Sequence, residues 1–512
     1  LDRVLRPALL VLILAVAGAF FCTESVRAAP PRPYFTDTGQ FSYAEFLMGE
    51  GEFAEAAGEY ERLIENFPSS PLLADAQFKG ATAYLNAGRY REARAGFELF
   101  LMNFKDDPHS PEARAALVRA RAVLGRVKPA PKARTPASAY KRPPIKAVQV
   151  ALFGGLGYAG IDKEFARFKN AGIDTVIVRV FHNKGDRIYE VADRVEGGVP
   201  LTGVYFKTDS APVVADVLAR FIELAHGNGL EIFAWMTSRY ADYGIEGRAE
   251  FACRGYDIKN RLANRCKGLD LFNPLVVKRL ESIYSDLADY DIDGILFQDD
   301  LVLRHNEGFG PHAAALFKME LGGRTLDPES LYVRAETGRG IDYTPLFWRW
   351  ASWKNRRLLK VAGRLRDVVR KKRPGVKFAL NLMYESVTNS PSALAWLSQD
   401  LAMSVEADFD YYAIMAYHRQ MGHELGKRPI VIKGLIEKMV VDAARTVGDP
   451  QRVLIKLQTI DWKTGRALPD TEVVELIRRV MATRNVSVAV VPYRGDFPFY
   501  ELGMGPGYAL NE

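Results

Sequence analysis

The chain has 512 residues, of which 48% are hydrophobic and 11% aromatic. That composition excludes a disordered polymer and allows two or three domains with large cores. The net charge of +7 is small for this length, and the basic residues are scattered apart from Arg370-Lys371-Lys372-Arg373, which reads as a solvated helix end and not as a nucleic-acid surface.

At the start of the chain Arg3 and Arg6 precede an apolar run from Ala8 to Phe21, followed by Val26-Arg27-Ala28. This is the pattern of a secretory signal over residues 1–28, cut after Ala28. The apolar run is short for a membrane span, and the bulky Phe20-Phe21 before Cys22 suits lipidation poorly. The expected location is therefore periplasmic or secreted, with association at the outer membrane left open. Removing the signal leaves Cys253 and Cys266. In an exported chain this pair fits a disulfide closing a surface loop; two free thiols are the alternative. No CxxC pair or His/Cys cluster has zinc spacing, so neither metal nor cofactor is expected.

Residues 41–127 repeat a helical pattern. Gly51-Glu52-Phe53-Ala54-Glu55-Ala56 returns as Gly88-Arg89-Tyr90-Arg91-Glu92-Ala93, and Tyr60 and Phe67 return at the same spacing as Phe97 and Phe104. Turn glycines, small residues at helix crossings and aromatics between helices resemble tetratricopeptide repeats. Such a module serves as a spacer or as a docking surface for a protein partner. The stretch 128–145 is rich in proline and charge without an apolar period, which marks a linker.

Beyond the linker, apolar strand-like runs alternate with helical stretches. The strands are Ala147–Phe153, Thr175–Phe181, Glu231–Met236, Gly294–Phe297, Lys377–Leu382, Tyr411–Ala416, Val453–Leu457 and Val486–Val491. The helices between them are expected at Asp162–Ala171, Pro212–Asn228, Leu275–Ala288, Trp348–Lys371, Ser392–Ser404, Ile432–Thr446 and Thr471–Thr483. Strands this uniformly apolar are covered on both faces. The fold class is therefore α/β, a (β/α)₈ TIM-type barrel over residues 146–500 preceded by an all-α tetratricopeptide-like domain. A doubly wound open sheet is the rival, but no strand is followed by a dinucleotide-binding glycine fingerprint.

Residues just after the strands would face one cavity. They are His182; Arg239; Gln298, Asp299 and Asp300; Tyr384 and Glu385; Tyr417 and His418; Asp461 and Trp462; and Tyr493 and Asp496, with Trp235 inside the third strand as a further aromatic candidate. Acids beside aromatics suit sugar chemistry, because carboxylates protonate a leaving oxygen and flat rings stack on sugar faces. His182 and His418 also read as structural hydrogen-bonders, Glu385 and Asp461 as helix caps, Trp235 and Trp462 as core. Asp299-Asp300 resists such a reading, since a cap needs one acid and a buried strand none. As a catalytic pair, one acid would protonate the glycosidic oxygen while the other oriented an acetamido group as internal nucleophile. Adjacent strand residues point to opposite faces, so that division needs the strand to end before Asp299. Alternatively, Glu385, Asp461 or Asp496 supplies the second carboxylate.

Phe233-Ala234-Trp235-Met236, Leu271-Phe272-Asn273-Pro274, Asp293-Gly294-Ile295-Leu296-Phe297-Gln298-Asp299-Asp300, Lys377-Phe378-Ala379-Leu380-Asn381, Tyr411-Tyr412-Ala413-Ile414-Met415-Ala416 and Leu457-Gln458-Thr459-Ile460-Asp461-Trp462 follow one another along the chain. In content and order they resemble the C-terminal glycoside hydrolase domain of PgaB-type poly-β-1,6-N-acetylglucosamine deacetylase/hydrolases. The resemblance implies a (β/α)₈ barrel that cleaves partially deacetylated poly-N-acetylglucosamine, with Asp299 at the catalytic acid position, Asp300 beside it, and Asn381, Asp461 and Trp462 lining the groove. Where that family usually has histidine this chain has Gln298, which cannot titrate. Helical repeats stand where the family carries its metal-dependent deacetylase domain, and His182, His226, His305 and His312 form no evident metal triad, so deacetylation is not expected. The expectation is an exported, endo-acting glycosidase of a poly-N-acetylglucosamine-like exopolysaccharide in biofilm export. A hydrolase of another amino-sugar polymer, or a non-catalytic polysaccharide scaffold, are the alternatives.

Overall fold

The computed structural model describes residues 36–126, 144–191, 202–245, 247–320, 325–334 and 341–503. The expected signal segment, residues 1–28, and residues 128–143 of the expected linker lie outside the described residues. Among the described residues no helix is long and apolar enough to cross a membrane.

Five helices come first: α1 (Asp37–Glu50), α2 (Phe53–Asn66), α3 (Leu73–Asn86), α4 (Tyr90–Asn103) and α5 (Ser110–Arg126). The repeated glycines make the repeated turns. Gly51 and Gly88 adopt φ of 81° and 72°, a left-handed conformation that a side chain would strain. Of the repeated aromatics, Tyr60 and Phe97 are fully buried between the helices, and Phe67 and Phe104 are half-buried. The module packs directly on the next domain: Tyr43 of α1 lies 4.9 Å from Trp348, whose indole N–H donates to Ser42 Oγ at 3.3 Å. Arg62 of α2 ion-pairs with buried Glu59 and donates to Ser390 Oγ at 3.3 Å.

The second domain is a closed, all-parallel barrel of eight strands: β1 (Lys146–Val150), β2 (Thr175–Arg179), β3 (Glu231–Met236), β4 (Gly294–Phe297), β5 (Lys377–Met383), β6 (Tyr411–Met415), β7 (Val453–Gln458) and β8 (Ser487–Val491). Each strand pairs with its sequence neighbours, and β8 closes on β1 through pairs such as Val148 with Val490. Nearly every strand residue is buried, as expected where side chains fill the barrel and helices cover it. All eight strands stand where the apolar runs placed them, most within a residue or two, although β1 ends at Val150.

The helices differ more. The stretch expected as one helix over Ser392–Ser404 is two, Ser390–Leu397 and Leu401–Glu406. The break falls at Ser398, which is left-handed (φ 50°) and donates its hydroxyl to Leu303 O at 2.8 Å. The helix expected from Pro212 begins at Leu218. After β3 comes an element absent from the sequence reading, an antiparallel hairpin of Ala252–Asp257 and Leu262–Leu269. Its second strand is mostly exposed and polar, so it carries no apolar alternation. Cys253 and Cys266 are bridged across it. Closing a loop of this length is worth about 3 kcal/mol through the unfolded chain. Cys253→Ser with Cys266→Ser should therefore lower the unfolding free energy by about that amount, read by denaturant titration of the oxidised parent and the variant.

Candidate active site

Strand β4 ends at Phe297, so Gln298, Asp299 and Asp300 belong to the turn that follows and are freed from strand alternation. The two acids take different surroundings. Asp300 has no exposed surface. Its carboxylate accepts from Ser238 N at 2.9 Å, Ser238 Oγ at 2.7 Å and Tyr240 N at 2.7 Å, which ties the end of β4 to the loop after β3. Burial raises its pKa to about 6 against the pull of those bonds, and the negative charge of Asp299 adds to the rise. Asp299 keeps part of its surface exposed. Desolvation raises its pKa too, opposed by the positive charges of Lys456 and Lys267.

Lys456 is the residue that the sequence reading missed. It lies inside the barrel at mid-β7, 1% exposed, and its ammonium donates across β6 to Asn381 Oδ1 on β5 at 3.0 Å. Desolvation lowers its pKa to about 7, and Asp299 is the charge that restores it. A single lysine inside the apolar run Val453–Leu457 was the available signal. Lys267 gave none. It projects from the disulfide-bridged hairpin with its ammonium 4.4 Å from the centre of the Tyr240 ring. That hairpin is pressed against the loop after β3: Leu269 N donates to Arg239 O at 2.8 Å. Gly268 (φ 85°) permits the approach, because a β-carbon there would stand 2.8 Å from Arg239 O.

An aromatic wall rises beside Asp299. Tyr417, half-buried after β6, has its pKa pushed up by desolvation and by the charge of Asp299. Its ring lies 5.4 Å from that of Trp462, after β7. Trp462 is also half-buried, and its indole nitrogen is covered without a hydrogen-bond acceptor among the described residues. Trp235 is 8% exposed and donates its indole N–H to Gln298 Oε1. Gln298 thus serves as a neutral acceptor, a task that does not require titration.

The other expected contributors hold partners of their own. Asn381 is 2% exposed and serves as the acceptor for the Lys456 ammonium. Tyr384 is buried and donates to Glu424 at 2.8 Å. Glu385 is buried near Ser392 Oγ. Asp461 keeps part of its surface but accepts from Lys463 N at 2.8 Å and Thr464 N at 3.2 Å within its own turn. Tyr493 stacks with Phe499 and packs against Phe153 and Phe168. Asp496 is exposed and paired with Arg494 at 3.0 Å, an arginine that the strand-end argument ignored. Arg239 is buried and pairs with Glu307 at 2.8 Å. His182 bonds to Tyr205, His418 to Glu472 and His226 to Asp293.

The arrangement offers one partly exposed, protonatable carboxyl group on a buried lysine floor, flanked by rings. It can deliver a proton to an oxygen lying against an apolar face.

A family model described as "Hypothetical glycosyl hydrolase family 13" matches residues 160–490. Among solved structures, the PgaB (BpsB) glycoside hydrolase domain from Bordetella bronchiseptica is similar at 22% identity and a TM-score of 0.55, covering 70% of this chain and 97% of that one. The catalytic domain of β-amylase from Paenibacillus polymyxa matches at 11% identity and TM-score 0.44, over 69% of this chain and 93% of that one. A β-galactosidase from Rahnella sp. R3 matches at 12% and 0.47, over 69% and 51%. No curated protein sequence matches the chain at a significant level.

Proposed function

The chain belongs to the glycosyl hydrolase family whose model spans residues 160–490, and on that premise we propose that it is an exported, endo-acting hydrolase of a poly-β-1,6-N-acetylglucosamine-like exopolysaccharide. The observation that carries the reading is the inequality of the two acids. Asp299 retains exposed surface, whereas the oxygens of Asp300 are taken up by Ser238 and Tyr240. A glycosidase ordinarily needs two working carboxyl groups, except where the substrate's own acetamido oxygen attacks the anomeric carbon. With one acid in reach of solvent beside the aromatic wall, an N-acetylated sugar is the substrate that completes the chemistry.

In this mechanism Asp299, protonated, donates to the glycosidic oxygen as the C–O bond breaks. The acetamido oxygen closes onto the anomeric carbon, and water then opens the cyclic intermediate, giving up its proton to the Asp299 carboxylate. Asp300 holds the turn that carries Asp299. Tyr417 and Trp462 stack on the sugar. The reading includes no deacetylation. It also includes passage through an oxidising compartment, which the Cys253–Cys266 bridge supports, and docking of an export partner on the helical module.

Successive fluorination of the substrate's N-acetyl group tests the internal nucleophile. Hydrolysis should fall steeply from acetyl to trifluoroacetyl; a flat series would assign the second step to a protein carboxylate. The lysine floor has its own test. Asp299 acts while protonated, so activity falls as pH rises through its pKa. The Lys456 cation favours the ionised form, and Lys456→Met should therefore move the alkaline limb of kcat to higher pH. An unmoved limb would separate Lys456 from the acid.

A further inference from the structure

Of the large apolar side chains left exposed among the described residues, three fall within one short tip: Leu425, Ile430 and Val431, exposed to 37%, 61% and 45%. The stretch Leu425-Gly426-Lys427-Arg428-Pro429-Ile430-Val431 is exposed at every position. It joins the helix His418–Leu425 to the helix Pro429–Val447. Gly426 turns the chain with φ of 61°, Pro429 opens the second helix, and buried Met421 and Ile432 anchor either side. A lone exposed aliphatic residue is ordinary, whereas a cluster of them marks a surface that meets something. Two cations share the tip. Neither Lys427 nor Arg428 has a side-chain ion-pair or hydrogen-bond partner among the described residues. Glu424, the nearest acid in sequence, accepts from Tyr384 at 2.8 Å and Gln420 at 2.9 Å. By contrast Arg419 and Lys433, within the two helices, are paired with Glu472 and Glu475. The first helix starts directly after Tyr417, so the tip stands at the catalytic end of the barrel, about 12 Å of helix beyond the aromatic wall.

We propose that residues 425–431 seat the barrel on an anionic phospholipid surface, with its catalytic end toward the membrane. Aliphatic side chains beside unpaired cations suit that boundary: the side chains enter below the headgroups, and the cations meet the phosphates. A protein partner asks for more. A stable interface takes about 800 Å² and roughly 20–30 residues from each side, and the tip offers seven residues. The inference stands apart from the hydrolase reading, because no part of it involves polymer.

Co-sedimentation of the full chain with vesicles tests it, one set made of phosphatidylglycerol with phosphatidylethanolamine and one of phosphatidylcholine alone. Residues 1–28 are common to every protein compared, so differences between parent and variants report the tip. The parent should favour the anionic vesicles, by a margin that shrinks as salt rises. Lys427→Gln with Arg428→Gln should weaken anionic binding by about 25-fold, about fivefold for each cation. Ile430→Ser with Val431→Ser should weaken it by about tenfold or more. Lys427→Arg should bind as the parent does, and so should Met102→Ser, which alters an exposed apolar residue far along the chain on α4. All these positions are exposed, so thermal unfolding should match the parent's throughout. A parent that ignores both vesicle sets would assign the tip to a protein partner and overturn the proposal. Equal binding by the parent and the two double variants would place membrane contact elsewhere and overturn it as well.

Discussion

Asp299→Asn is expected to lower kcat by about 10²–10⁴, the usual contribution of a positioned proton donor, while substrate binding and thermal unfolding stay close to the parent's. The expectation follows from the site's asymmetry. Asp299 is partly exposed, whereas the carboxylate of Asp300 is tied down by Ser238 and Tyr240, so asparagine at position 299 fits the aspartate's space and removes the titratable proton. Desolvation has already raised its pKa, which keeps a larger fraction protonated than a surface aspartate would. Steady-state kinetics beside equilibrium binding separate the outcomes. A variant that binds normally and still hydrolyses within a few-fold of the parent would deny Asp299 the acid's role.

Asp300→Ala should show the opposite profile, with stability as its first casualty. The side chain has no exposed surface and accepts from two backbone amides and one hydroxyl. Truncation leaves those donors buried without acceptors, at about 1–3 kcal/mol for each group left unsatisfied, so a loss of about 3 kcal/mol or more is expected near neutral pH. The linkage has a definite sign. The folded-state pKa is raised to about 6 from 3.8. The protonated carboxyl therefore contributes stability that is complete below pH 3.8 and is lost as pH climbs through 6, about 3 kcal/mol in all. Asp300→Asn removes this titration, so its unfolding free energy should vary less between pH 4 and pH 7 than the parent's. Equal slopes in the two proteins would show that Asp300 does not titrate in that window.

The strands were legible because parallel barrel strands are covered on both faces and their apolar runs are bounded by turn residues; Glu231–Met236 and Gly294–Phe297 stand where they were read. The repeat was legible because Gly51 and Gly88 perform the same backbone task. The site was legible only in part. Its acids betrayed themselves by standing at the end of a buried run, but sequence carries no measure of reach. Asn381 and Lys456 bond across an intervening strand, and neither residue's neighbours in sequence report the other. The burial of Asp300 depends on Ser238 and Tyr240, two residues on a different loop. Tyr493 and Asp496 follow their strand as expected, yet the aromatic cluster around Phe499 and the side chain of Arg494 claim them first. The hairpin that carries Lys267 has an exposed polar strand, so no apolar period announces it.

On the proposed function, this barrel cuts an N-acetylated amino-sugar polymer with Asp299 as its acid. Incubating the full chain with poly-β-1,6-N-acetylglucosamine, beside Asp299→Asn, and following polymer length and new reducing ends tests it most directly. Progressively shorter oligosaccharides with matching reducing ends are expected from the parent, and an unchanged polymer from the variant. A polymer that binds the parent yet keeps its length, with no new reducing ends, would contradict it and leave a polysaccharide guide built on a hydrolase barrel.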